Sequence, residues 1–107
     1  MLQFTRVIPI GSEERANAAS HALGGLLALL ALPALALPDA PGAAADPRRA
    51  AGVLIFVASM VLTYMVSAAY HAAPAGAARC WLRRCDHAAI FVFIAGSFTP
   101  FALAAPP

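Results

Sequence analysis

The chain has 107 residues, of which 62% are hydrophobic and only 11% are charged, and its formal net charge at pH 7 is +2. Soluble domains carry roughly one-quarter charged residues, so this composition excludes an ordinary soluble domain and predicts an all-α integral membrane helical bundle. All seven basic residues are arginines, and no more than two of them are adjacent. The charge therefore indicates membrane lipids, and no nucleic acid, as partners.

The chain divides into a short polar lead-in and an apolar remainder. We predict that residues 1–18 form a cytoplasmic N-terminal segment and that residues 19–107 form the membrane domain. The longest of three apolar runs, residues 50–70, contains no charge and covers about 31 Å as a helix, which is the thickness of the bilayer hydrocarbon. Two further runs lie near the lower length limit for crossing. The predicted spans are about 20–37, 50–71 and 87–105, with a Pro- and Gly-rich loop at 38–47.

The helix of the first predicted span is expected to begin before the membrane, and two kinds of residue recur along it at helical spacing. Side chains four residues apart lie on one side of a helix. Small residues at that spacing allow two helix backbones to approach closely in lipid, and polar residues there favour contact with other helices. The polar stripe is Glu13, Asn17 and His21, and the small-residue stripe is Ser20, Gly24 and Ala28.

The second predicted span carries Ser59, Thr63, Ser67 and His71 at four-residue intervals in an otherwise apolar sequence. Such a slowly rotating polar stripe is expected to face other helices or a wet cavity, because polar groups are costly in lipid. Asp86 opens the third predicted span, after a short loop. His71 and Asp86 are thus expected at the same membrane face, where ionisable residues are functional-site candidates.

The arginines also predict an orientation. Five lie before the first span or between the second and third, whereas two lie between the first and second. The positive-inside bias then places the N-terminus in the cytoplasm and the chain in the cell membrane, plasma or inner. Cys80 and Cys85 would face the cytoplasm, where thiols stay reduced. The alternative of a signal peptide cleaved after Ala36 is disfavoured, because the preceding charges are mixed in sign.

Three chemical interpretations of Ser67, His71 and Asp86 are open from the residue types. A zinc ion on His71 would acidify a water, with Asp86 as general base and orienter and Ser67 within hydrogen-bond reach. A serine hydrolase would use Ser67 as nucleophile, His71 as base and Asp86 as orienter, but no nucleophile elbow accompanies them. Alternatively, His71 and Asp86 are hydrated polar residues in the headgroup zone.

A different zinc site is also chemically possible. It would combine His71 with Cys80, Cys85 and His87 in a Cys₂His₂ arrangement. With eight, four and one intervening residues, the four side chains taken together match no standard zinc pattern. We therefore expect the cysteines to be incidental.

Four ordered motifs lie near the ends of the predicted spans. They are Glu13-Glu14-x-x-Asn17-x-x-Ser20-His21-x-x-Gly24, Ser67-Ala-Ala-Tyr70-His71, Asp86-His87-x-x-Ile90 and Ile94-Ala-Gly-Ser-Phe-Thr-Pro100-Phe101. Together they resemble the hemolysin III family, which is related to the progestin and adipoQ receptors, including the adiponectin receptors. The resemblance covers nearly the whole chain except the first loop.

This resemblance implies a seven-helix membrane protein with a zinc site near its cytoplasmic side. One ligand would be a histidine of the second helix, here His71, and two would come from an H-x-x-x-H motif of the seventh helix. Asp86 would contact the zinc-bound water and Ser67 would lie beside it. Related receptors are credited with ceramidase-type hydrolysis, so the implied function is zinc-dependent hydrolysis of a lipid amide.

Only three of the seven implied helices fall within the 107 residues. We therefore expect a fragment whose zinc site is incomplete and which is inactive by itself; a natural three-helix protein that oligomerises is the alternative. The competing functional class is a non-enzymatic membrane protein, either a pore-forming, cytolytic protein or a receptor-like bundle with structural zinc.

Overall fold

The computed structural model describes residues 11–36 and 46–105. It contains three helices, α1 (Ser12–Ala36), α2 (Pro47–Ala72) and α3 (Ala77–Ala104). The predicted all-α class is therefore confirmed over the described residues. Residues 1–10 of the predicted N-terminal segment, residue 37 of the first predicted span, residues 38–45 of the predicted first loop and residues 106–107 lie outside them.

Each helix is long enough and apolar enough to cross a membrane. The shortest, α1, has 25 residues and is therefore about 37 Å long, which exceeds the hydrocarbon thickness of about 30 Å. Large apolar side chains point outward, among them Leu30 (64% exposed), Phe91 (73%) and Phe101 (74%). Lipid hydrocarbon, rather than water, is the medium that suits such a surface. The chain is a membrane protein.

The connection between α2 and α3 is much shorter than predicted. Helix α3 begins at Ala77, ten residues before the predicted start of the third span, so the connection is only residues 73–76. Pro74 cannot continue α2, and Gly76 adopts a φ of +151°, which favours glycine. After Gly76 the alanines, arginines and leucine are good helix formers, so the helix resumes at once. The prediction that Arg79, Arg83 and Arg84 lie in a loop before Asp86 is therefore wrong.

Helix α2 is the central element. Helices α1 and α3 both pack against it, and over residues 11–36 and 46–105 they do not pack against each other. Both contacts are antiparallel, and glycines allow the close approach. A methyl group on Gly24 would lie 2.9 Å from Cε1 of Tyr64, and one on Gly96 would overlap the side chain of Ser59. Small residues thus set the helix spacing, as is usual in lipid.

The predicted polar stripe of α2 is confirmed as an interhelical surface. Ser59 and Ser67 are both buried, with 6% of each exposed. The Thr63 hydroxyl donates to the Ser59 carbonyl (2.7 Å) or, toward α3, to the Ala89 carbonyl (3.2 Å). Each four-residue step rotates the stripe by about 40°. The start of the stripe, at Ser59 and Thr63, therefore contacts α3. The end of the stripe, at Ser67 and His71, contacts α1.

We expect Gly96→Ala to destabilise the bundle, because the added methyl overlaps Ser59. Overpacking typically costs about 1–3 kcal/mol. The thermal unfolding midpoint in detergent micelles, followed by circular dichroism, should fall. Combining the change with Ser59→Gly should recover part of the loss, whereas Ala95→Leu at an exposed position of α3 should have little effect. An unchanged midpoint in Gly96→Ala would contradict the close α2–α3 contact.

Candidate functional site

A group of polar side chains lies where α1 begins, α2 ends and α3 begins. We call it the polar cluster and define it as Glu14, His21, Ser67, His71 and Arg79. The cluster draws on all three helices, although α1 and α3 are separated along most of their length by α2. Each member is buried or half-buried, and the members bond one another.

The carboxylate of Glu14 is the centre of the polar cluster. Its Oε2 lies 2.7 Å from Nδ1 of His71 and 3.2 Å from Nη2 of Arg79. One oxygen therefore accepts hydrogen bonds from the end of α2 and from the first turn of α3. This shared carboxylate joins the three helices at one end of the bundle.

Arg79 also closes the C-terminal end of α2. Its Nη1 donates to the carbonyl of Tyr70 (3.1 Å), which also accepts from the Ala73 N–H, and to the carbonyl of Ala73 (2.8 Å) just beyond the helix. Its guanidinium lies 4.6 Å from the centre of the Tyr70 ring, in cation–π geometry. These contacts hold the guanidinium in place beside Glu14.

The contact with Glu14 assigns a role to each nitrogen of the His71 ring. A carboxylate is an acceptor, so Nδ1 of His71 carries the proton and donates. In the neutral ring Nε2 is then an acceptor with a free lone pair. This is the arrangement in which metal-ligating histidines are usually held, with the second ring nitrogen bonded to a carboxylate. The side chain is 18% exposed, so it is held but accessible.

Ser67 is paired with a different histidine from the one that the serine-hydrolase interpretation requires. Its hydroxyl lies 2.5 Å from Nδ1 of His21. The ring of His21 stands edge-on to that of His71, with ring centres 5.5 Å apart, and to that of Tyr64, at 5.9 Å. The structure thus brings Ser67 and His71 into one cluster, in which His21 contacts both residues. The imidazole bonded to the serine is that of His21, not that of His71.

Asp86 lies deeper than predicted. The contact of Thr63 with Ala89 fixes the antiparallel register of α2 and α3. Asp86 precedes Ala89 by three residues, and Val66 follows Thr63 by three, so Asp86 lies at the same height along the bundle as Val66 and Ser67. Asp86 is half-buried and, among the described residues, makes no hydrogen bond or ion pair. A carboxylate without a partner is thus held near the depth of Ser67.

The cysteines do not complete a metal site in the described part of the chain. Cys80 is exposed and Cys85 is half-buried, and both are free thiols. Residues 11–36 and 46–105 contain no group of three or more histidine, cysteine, aspartate or glutamate side chains placed to hold a metal ion. The Cys₂His₂ alternative is therefore not assembled there.

Two members of the cluster were not singled out from the sequence. Glu14 precedes His21 by seven residues, so the two side chains differ in direction by only about 20° around the helix axis. Glu13 precedes His21 by eight residues, and its direction differs by about 80°. Glu13 and Asn17 are accordingly exposed, and Glu14 occupies the contact with α2. Arg79 entered the sequence analysis only as a charge that sets orientation.

An apolar groove of about 560 Å³ runs between α1 and α2 at the same end of the bundle as the polar cluster. Alanines form most of its walls, and their small size leaves the space. The lining residues are Arg15, Ala18, Ala19, Ala22, Met65, Ala68, Ala69 and Ala72.

We expect His71 to be protonated on Nδ1 in the neutral state. Nitrogen NMR of ¹⁵N-histidine-labelled chain in micelles distinguishes the two ring nitrogens directly. Glu14→Ala removes the acceptor, and the His71 signals should move toward the Nε2-protonated form. The matched variant Glu13→Ala should leave them unchanged, because Glu13 is exposed. Identical His71 signals in wild type and Glu14→Ala would contradict the carboxylate contact.

Comparison with known proteins gives a family. The model of Haemolysin-III related proteins matches residues 11–107. The chain is 40% identical over 92 residues to the hemolysin-3 homolog of Bacillus subtilis (strain 168), covering 85% of the chain and 42% of that protein. It is 31% identical over 101 residues to hemolysin-3 of Bacillus cereus, covering 94% of the chain and 45% of that protein.

The chain thus spans less than half the length of either relative. No solved structure matches it. The family match covers all three helices and every residue of the polar cluster. The chain belongs to the Haemolysin-III related family.

Proposed function

We propose that this chain provides the first three helices of a seven-helix, zinc-dependent hydrolase of lipid amides, of the ceramidase type. The observation that carries the proposal is the hydrogen bond between Nδ1 of His71 and Glu14, which leaves Nε2 available to a metal. We further propose that the protein lies in the cell membrane with its N-terminus in the cytoplasm. The cluster then sits at the cytoplasmic side.

The donor set fits zinc in part. His71 supplies one imidazole nitrogen with an orienting carboxylate, whereas a catalytic zinc takes three protein ligands. Because the described residues hold no such group of three, we assign the other two ligands to histidines outside these 107 residues. When bound, zinc supplies a Lewis acid that polarises a carbonyl and makes water more acidic.

The other residues of the site have separate roles in this proposal. Asp86 has a carboxylate without a partner among the described residues, so we assign it to accept a proton from the attacking water. The Ser67 hydroxyl, near the same depth, positions that water, and His21 fixes the Ser67 hydroxyl through their hydrogen bond. Arg79 keeps Glu14, and hence the His71 ring, in place.

The surroundings of the cluster favour a lipid as the substrate. The cluster lies within helices whose outer surface is apolar, so a substrate from the bilayer reaches it more readily than a soluble one. The alanine-lined groove between α1 and α2 opens at the same end and has room for part of an acyl chain.

A hydrolysis assay of the intact protein on ceramide-like substrates tests the proposal. We expect His71→Ala to abolish both bound zinc and turnover, and Asp86→Asn to keep zinc but lower turnover by about 10²–10⁴-fold, the usual contribution of a general base. Chelation should abolish turnover, and added zinc should restore it. His87→Ala is the matched control, since His87 is exposed and bonds only the Arg83 carbonyl among the described residues.

Unchanged turnover in His71→Ala and Asp86→Asn would contradict the proposed mechanism. The competing function, membrane lysis, is suggested by the name hemolysin-3 of the relatives. Release of dye from vesicles separates the two functions. Lysis that persists in both variants, without hydrolysis in the wild type, would favour the pore-forming alternative.

A further inference from the structure

The face of α3 that points away from α2 changes character along its length. Ala89 and Gly96 mark the side of α3 buried against α2. Successive side chains of a helix are rotated by about 100° around its axis, which identifies the residues on the opposite side of α3. That side is polar and basic in the first turns and largely aromatic toward the C-terminal end. The basic part comprises Cys80, Arg83, Arg84 and His87, and the apolar part comprises Phe91, Ile94, Phe98 and Phe101.

The basic part of this face lines a concavity and carries two arginine charges that have no carboxylate partner among the described residues. A concavity of about 510 Å³ is lined by Cys80, Arg83, Arg84 and His87. In residues 11–36 and 46–105, neither guanidinium of Arg83 and Arg84 makes a hydrogen bond or an ion pair. Arg79, in the same helix, is in contrast neutralised by Glu14. Two adjacent positive charges are therefore available to an external anion.

We propose that this face of α3 binds an anionic phospholipid. The phosphate binds to Arg83 and Arg84, whose forked donors match phosphate oxygens, and one acyl chain lies along Phe91 and Ile94. Those two residues are about 10 and 15 Å from Arg84 along the helix, which matches the depth of one leaflet in a hydrocarbon core of about 30 Å.

Charge favours a lipid over another helix on this face. A transmembrane helix packed here would bury two guanidinium groups unless it brought carboxylates of its own, and unpaired charges in a bundle are costly. An anionic lipid supplies both the phosphate and the apolar chain. Basic pockets at the headgroup level are known to suit such lipids.

Trp81 is a built-in reporter for the test. It is the only tryptophan of the chain, is 64% exposed, and lies two and three residues from Arg83 and Arg84. The chain is reconstituted in vesicles that contain brominated phosphatidylglycerol or brominated phosphatidylcholine at equal mole fraction. We expect stronger quenching of Trp81 by phosphatidylglycerol, because each arginine near an anionic surface favours the lipid by about fivefold.

Arg83→Gln/Arg84→Gln should lower the quenching by phosphatidylglycerol to the level given by phosphatidylcholine. Arg48→Gln/Arg49→Gln at the other end of the bundle should keep the preference. Quenching by brominated phosphatidylcholine shows for every variant that the chain has inserted. The proposal is overturned by equal quenching with the two lipids in the wild type, by a preference that survives Arg83→Gln/Arg84→Gln, or by displacement of the lipid with millimolar inorganic phosphate.

Discussion

The arrangement of the three helices at the polar end depends on the carboxylate of Glu14. The Glu14 side chain is half-buried, and its carboxylate accepts charge-assisted hydrogen bonds, which are stronger than neutral ones. Its partners are His71 of α2 and Arg79 of α3. The same pairing therefore joins the helix ends and orients the ring of His71. Stability and the geometry of the proposed site have one physical cause here.

Close contacts between the helices hold the bundle together beyond the end that Glu14 joins. Gly24 admits the ring of Tyr64, and Gly96 admits the side chain of Ser59, so α2 is held tightly on both sides. This tight packing sets the depth of the residues beyond it, including Ser67 and Asp86. The outer surfaces of α1 and α3 remain apolar and face lipid. The buried contacts position the cluster, while the outer face of α3 carries the separate basic patch around Arg83 and Arg84.

Features that follow from periodicity could be predicted from the sequence, whereas those that depend on partners between helices could not. The three apolar runs and the stripe from Ser59 to His71 were recognisable because lipid burial and helical spacing leave regular patterns. Hydropathy marks the part of a helix inside the membrane, so it missed the nine residues of α3 that precede Asp86, three of which are arginines. Glu13 and Glu14 differ by about 100° around the helix, and only the position of α2 shows which one is paired.

X-ray absorption at the zinc edge of the purified intact protein tests the central claim, that His71 with its Glu14 contact is a zinc ligand. The account predicts a shell of nitrogen and oxygen at about 2.0–2.1 Å and no sulfur. His71→Ala should lose that zinc. Sulfur at about 2.3 Å would assign the metal to Cys80 and Cys85 instead, and would contradict a site built on His71 and the polar cluster.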